Sequence, residues 1–127
     1  MTPRRYERLK KELAANGKLV CTVASGSMLP LLPIGCLIEV APLRGAAKLF
    51  DIVVFLSADR LICHYVVHVN RMKDADPVLI TRALAFGIED MPIRRSAVLG
   101  LVVSHRVPAR TRIAALLGRF FSALRPR

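Results

Sequence analysis

Leu19-Val20-Cys21-Thr22-Val23-Ala24-Ser25-Gly26-Ser27-Met28-Leu29-Pro30-Leu31-Leu32-Pro33-Ile34-Gly35-Cys36-Leu37-Ile38 is a run of twenty residues without a charge. Whether it is one helix or two strands decides the fold. On length alone it could cross a bilayer, and the basic stretch ahead of it also fits a signal peptide. Its content argues against both. Gly26, Pro30, Pro33 and Gly35 interrupt it, and a proline inside a helix costs about 3 kcal/mol. The β-branched residues of Lys18 to Ala24 read instead as a strand, and Cys36 to Val40, stopped by Pro42, reads as a second. Between them Ser27 sits in a turn punctuated by Gly and Pro.

Outward from that pair, the chain continues in strands. Leu49 to Leu56 is almost wholly apolar and should be buried on both faces; Ser57 to Arg60 turns it into a fourth strand, Leu61 to Arg71. Asp74 to Pro77 turns the chain again, Val78 to Arg82 is a fifth strand, and Ala97 to Val107 a sixth. About six short strands with no long helix between them predict an all-β domain, a small barrel or folded sheet. At 127 residues the chain has length for one such core and no second.

The ends differ from this body, giving three segments: a basic helix over residues 1–18, the β domain over 19–107 and a basic amphipathic helix over 108–127. Arg4 to Asn16 reads as a short helix stopped at Asn16-Gly17. Its stripe of Tyr6, Leu9 and Leu13 can dock on the body or on a membrane. From Arg110 on, Ile113, Leu116, Leu117, Phe120 and Leu124 recur with helical spacing, while Arg112, Arg119, Arg125 and Arg127 fall mostly on other faces. Such a helix lies in a membrane interface or packs on its own barrel or a partner.

Charge follows the same division. The net charge is +11, of which residues 1–18 carry +4, residues 104–127 carry +6 and everything between only +1. A near-neutral body lacks the continuous basic face that a nucleic-acid backbone needs, so no nucleic acid is expected. An anionic membrane is the better electrostatic partner for the termini. Cys21, Cys36 and Cys63 are odd in number and form no Cys-x-x-Cys pair, so they read as reduced, mostly buried side chains. Cys63 and His64 lack further ligands at metal-binding spacing, and no cofactor is implied.

Ser27 becomes a nucleophile only with a base in hydrogen-bond reach and donors for the developing oxyanion. The fourth strand offers His64 and His68, which share strand parity and are expected on one face, about 13 Å apart. An imidazole suits the role because its ordinary pKa lies near 6.5. Asp90 or Glu89, in the loop before Met91-Pro92, could orient it.

Ser25-Gly26-Ser27-Met28-Leu29-Pro30, followed by Gly35, resembles the nucleophile box of the type I signal peptidase family, Ser-x-Ser-Met-x-Pro followed by Gly-Asp. Phe50-Asp51-Ile52-Val53-Val54-Phe55 looks like that family's Gly-Asp-Ile-Val-Val-Phe strand. Cys63-His64-Tyr65-Val66-Val67 looks like its base segment in the endoplasmic-reticulum and archaeal form, where His replaces Lys. Thr81 to Asp90, Pro92 and Val98 to Val103 are similar to its closing box. The resemblance covers residues 19 to 107 and implies Ser27 as nucleophile, His64 as general base and Asp90 as acidic support. It further implies Ser25 as an oxyanion donor and Met28 and Pro30 as parts of the substrate-binding turn. The implied substrate is a leader or precursor peptide, bound as an added strand.

Cys36 stands where Asp follows Gly, Phe50 replaces a Gly, Tyr65 an Arg, and Ala83, Leu84 and Phe86 replace the Gly, Asp and Asn of the closing box. A non-catalytic relative that binds a peptide or partner protein is therefore the alternative. A LexA-like self-cleaving domain is a third reading, weakened because that family uses Lys as base and the fourth strand has none. The family's membrane-spanning anchor has no counterpart in these residues. The cationic ends are expected to replace it, in the cytoplasm at the inner membrane face.

Overall fold

The computed structural model describes residues 1–71 and 76–123. The fold is all-β, with a short helix at either end. Helix α1 (Pro3–Asn16) precedes strands β1 (Leu19–Thr22), β2 (Leu37–Ala41), β3 (Ile52–Ser57), β4 (Arg60–Asn70) and β5 (Val78–Arg82). Then come β6 (Ile93–Arg94), a 3₁₀ turn (Arg95–Ala97), β7 (Val98–Val102) and helix α2 (Ala109–Ala123). The strands form one sheet in the order β1-β2-β7-β3-β4-β5-β6, and every pairing is antiparallel.

The uncharged run is a strand, a turn and a strand. Among the described residues no helix is long and apolar enough to cross a membrane. Helix α1 is bounded as its ends require. The Thr2 side chain accepts from Arg5 N at 3.2 Å, Pro3 opens the first turn, and Gly17 at φ 69° closes the helix by donating to Leu13 O at 2.8 Å. Its stripe docks on the body: Leu13 is buried in the core and Tyr6 and Leu9 pack beside it.

Strand β3 is buried on both faces as expected, with Ile52, Val53, Val54 and Phe55 all inside. Its side chains divide between two apolar clusters. Ile52 and Val54 join Met28, Leu32, Ile38 and Val40 on one face; Val53 and Phe55 join Val66 and Leu79 on the other. Each fully buried residue of this size contributes about 1.5–3 kcal/mol of transfer free energy.

Two strand boundaries differ from the sequence reading by more than two residues, and one strand is added. Strand β3 starts at Ile52 rather than Leu49, because Phe50 takes a positive φ of 71° and Asp51 Oδ2 accepts from Lys48 N at 2.8 Å, which makes a turn. The expected sixth strand, Ala97 to Val107, is shorter, Val98–Val102, and an unforeseen strand, Ile93–Arg94, pairs with β5 ahead of it, with the 3₁₀ turn as a break between the two. The described residues thus form seven strands. Arg95 fixes the break, its guanidinium donating to Leu43 O at 2.9 Å and Gly45 O at 2.8 Å. Asp74 of the expected turn, and Leu124, Arg125 and Arg127 of the C-terminal pattern, lie outside the described residues.

Candidate active site

The serine turn is closed at its base by two backbone bonds, Val23 N to Cys36 O at 2.9 Å and Gly35 N to Val23 O at 2.7 Å. Gly35 has φ 89°, a value that strains any residue with a Cβ. Within the turn Leu29 N donates to Gly26 O at 3.1 Å and Leu32 N to Met28 O at 2.9 Å, and the Leu29–Pro30 peptide is cis. Met28 and Leu32 are driven fully into the core. Burial of these two side chains pins the turn to the sheet and leaves Ser27, beside Met28, half-buried.

Ser27 opens into a cleft of about 570 Å³. The cleft wall draws on four strands, with Cys21 from β1, Ile38 from β2, Val54 from β3 and Cys63 from β4. Four strands spread over five neighbouring positions of the sheet can share one cleft only because the sheet curls. Ser25 and Met28 line it as well, whereas Pro30 does not. Ser25 Oγ lies 3.2 Å from Ser27 Oγ, so one hydroxyl can donate to the other.

His64 is buried on β4, opposite Val53 of β3, with its ring edge-on to Phe55 at 6.1 Å. Its Nδ1 is 2.5 Å from Asp90 Oδ2, and Thr81 Oγ1 donates to the same oxygen at 2.7 Å. The backbone of Asp90 is held too, its N–H donating to Thr81 O at 2.8 Å. With Nδ1–H donating to the carboxylate, the tautomer leaves Nε2 as the acceptor. Among the described residues nothing hydrogen-bonds Nε2.

The two acidic candidates separate clearly. Glu89 turns to Arg82, 3.2 Å away, across a bridge that pairs the two residues, while Asp90 turns to His64. The two histidines separate as well, contrary to the expectation of a shared face. A bulge lies between Val66, opposite Thr81, and His68, opposite Ile80. Val66 and Val69 then pack on the same cluster although three residues apart, so His68 leaves the face of His64, and it is exposed.

Ser27 and the His64–Asp90 pair are linked through one loop. After β5, Ala85 N donates to Ser27 O at 3.0 Å, and five residues later the same loop delivers Asp90 to His64. The link is through backbone. No hydrogen bond joins Ser27 to His64 among the described residues, and the cleft lining reaches Cys63 but not His64.

Cys63 is no rival nucleophile. Burial, with smaller contributions from the Cys21 and Cys36 thiols, pushes its pKa up to about 12, so it stays protonated near neutrality. All three cysteines are free and half-buried. Thr81 is the residue that the sequence reading left without a role. A fully buried Thr at a core-facing position of β5, next after Val78-Leu79-Ile80, is a signal in itself, since its hydroxyl must find a partner inside.

Against known proteins, the chain matches no family model, no curated protein and no solved structure. The likeness of its boxes to the signal peptidases therefore rests on the residues themselves.

Proposed function

We propose that the chain is a serine endopeptidase that processes a leader or precursor peptide, with Ser27 as nucleophile and His64 as general base. The observation that carries this reading is Asp90 Oδ2, which at 2.5 Å from His64 Nδ1 and 2.7 Å from Thr81 Oγ1 fixes both the orientation and the tautomer of the imidazole. An imidazole so held accepts a proton at Nε2, and the adjacent carboxylate stabilises the imidazolium that forms.

In this mechanism a peptide lies in the cleft as an added strand, and Ser27 Oγ attacks the scissile carbonyl carbon. Its proton passes to His64 Nε2. The oxyanion is received by the Ser27 N–H and the Ser25 hydroxyl, 3.2 Å from Ser27 Oγ. The imidazolium then protonates the departing amine, and a water activated by the same imidazole hydrolyses the acyl-enzyme. Closure of Nε2 onto Ser27 accompanies substrate binding, since catalytic hydrogen bonds commonly tighten only in the complex. The cationic ends support peripheral contact with an anionic membrane on the cytoplasmic side.

A second reading, a peptide-binding module without catalysis, is favoured by one feature, the absence of a Ser27–His64 hydrogen bond among the described residues. A peptide-cleavage assay separates the two. Wild type is expected to cleave, and Ser27→Ala and His64→Ala to lose roughly three orders of magnitude or more in rate. Equal rates in all three refute the peptidase; peptide binding without cleavage in all three establishes the module.

A further inference from the structure

A second cavity, of about 370 Å³, opens where α2 leaves the sheet. Phe50 and Val107 contribute apolar floor, and Lys48, Arg106 and Arg112 line it with a single carboxylate, Asp51. That carboxylate is already engaged, since its Oδ2 accepts from Lys48 N at 2.8 Å. None of the three cations forms an ion pair among the described residues. An apolar floor beneath unpaired cations suits an amphiphile with an anionic head.

Helix α2, whose Arg112 lines the cavity, carries an apolar surface of its own. Ile113, Leu116 and Leu117 fall at i, i+3 and i+4 on α2 and are 57%, 49% and 50% exposed. Leu49 and Val103, which line the cavity itself, are also exposed. Charge decides what covers the face. Residues 104–127 contain six arginines and no acid, so a second copy of the chain would meet like charge. Nucleic acid would leave the leucines unpaired. A bilayer carrying anionic lipid satisfies the cations and the apolar side chains together.

We propose that the cavity and the exposed face of α2 form one site for an anionic phospholipid in a bilayer surface. The headgroup phosphate sits against Lys48, Arg106 and Arg112, and Ile113, Leu116 and Leu117 seat at the acyl boundary. The site is independent of the peptidase chemistry and narrows the membrane contact proposed above to one face.

Vesicle co-sedimentation of the full chain tests it, with about 30% phosphatidylglycerol in phosphatidylcholine as the probe. Wild type is expected to bind these vesicles and not pure phosphatidylcholine. Arg106→Glu/Arg112→Glu and Leu116→Glu/Leu117→Glu should each weaken binding about tenfold or more, at about 1 kcal/mol for each basic residue near the surface and a similar loss from apolar burial. Arg4→Glu/Arg8→Glu removes the same charge from α1 and should cost far less. Circular dichroism confirms that each variant is folded. Failure of wild type to bind overturns the proposal. So does equal binding to neutral vesicles, a loss in the α1 variant as large as in the other two, or release of the protein by soluble glycerophosphate at concentrations too low to screen charge. The α1 outcome would leave membrane attachment standing while removing this site, and none of these outcomes bears on peptide cleavage.

Discussion

Asp90 and Glu89 are neighbours in one loop with the same chemistry, and the structure assigns them opposite importance. Asp90 Oδ2 receives His64 Nδ1 and Thr81 Oγ1, with the His64 side chain 10% exposed and Thr81 fully buried. Removing the carboxylate in Asp90→Ala strands two buried donors, at about 1–3 kcal/mol each, for a total of about 2–6 kcal/mol. Asp90→Asn can keep an oxygen in the same place and loses only the charge assistance, about 1–2 kcal/mol. Glu89→Ala breaks an exposed pair with Arg82, worth less than about 1 kcal/mol. Urea unfolding with a common m-value should therefore rank the variants Glu89→Ala, Asp90→Asn, Asp90→Ala in increasing cost. A cycle pairing Asp90→Ala with His64→Ala should show coupling above about 1 kcal/mol. Peptide cleavage, if Ser27 uses His64, should fall about 10²–10⁴-fold in Asp90→Asn with little change in KM, because the lost charge acts on the imidazolium. Equal stability costs for Asp90→Ala and Glu89→Ala would refute the assignment of the carboxylates. Unchanged cleavage in Asp90→Asn would remove Asp90 from the mechanism.

Three further outcomes follow from packing and titration. In Gly100→Ala the new Cβ would meet Ala41 O and Val40 Cγ1, both at 2.6 Å; one of these is backbone and cannot turn aside, so urea unfolding should show a loss of about 3 kcal/mol. Leu32→Ala empties a fully buried position under the serine turn and should cost about 2–5 kcal/mol in the same assay, with faster amide exchange at Met28 and Leu32. Iodoacetamide should label Cys63 in the folded chain very slowly at pH 8: moving the pKa from 9.0 to about 12 reduces the thiolate roughly a thousandfold. Raising the pH should speed that labelling. Because the folded state holds the proton more tightly than the unfolded chain, this thiol's contribution to stability is complete below pH 9 and is lost as the pH rises toward 12.

Much of this fold is legible in the chain because local chemistry and tertiary packing agree. Pro30 and Pro33 forbid a helix through Leu19–Ile38, Gly17 stops α1, and four consecutive buried residues at Ile52–Phe55 give an apolar run with no alternation to misread. Apart from the local turn at Lys48–Asp51 that delays β3, the failures come from contacts distant in sequence. Nothing local in Arg95 announces that its guanidinium will bind carbonyls of Leu43 and Gly45 and hold the turn between β6 and β7. The bulge that separates His68 from His64 depends on register with β5, which alternation within β4 does not record. Glu89 and Asp90 differ only in facing, and that is settled by the bridge from Arg82 to Glu89.

The site shows why distant contacts matter most where chemistry is at stake. Ser27 follows β1, at one end of the sheet, while His64 lies on β4 and Asp90 follows β5, with β2, β7, β3 and β4 standing between β1 and β5 in the strand order. Flat, such a sheet would hold β1 and β5 about 24 Å apart, five spacings of nearly 4.8 Å. Curling closes that gap far enough for Ala85 N to reach Ser27 O at 3.0 Å. The separation of serine and imidazole reflects the curvature of the sheet, the face each takes and one loop. His64 lies opposite Val53 on the second cluster, whereas the cleft lies on Val54 and Cys63 of the first. The loop, residues 83–90, is anchored at Ala83 in the core and at Asp90 on His64. Between those ends the loop is exposed from Ala85 to Glu89, yet it is tied at Ala85 to Ser27, at Gly87 to Ala83 and at Glu89 to Arg82. Ala85 is where the loop that carries Asp90 to His64 hydrogen-bonds the turn that carries Ser27, so a peptidase that brings His64 onto Ser27 has to move that contact.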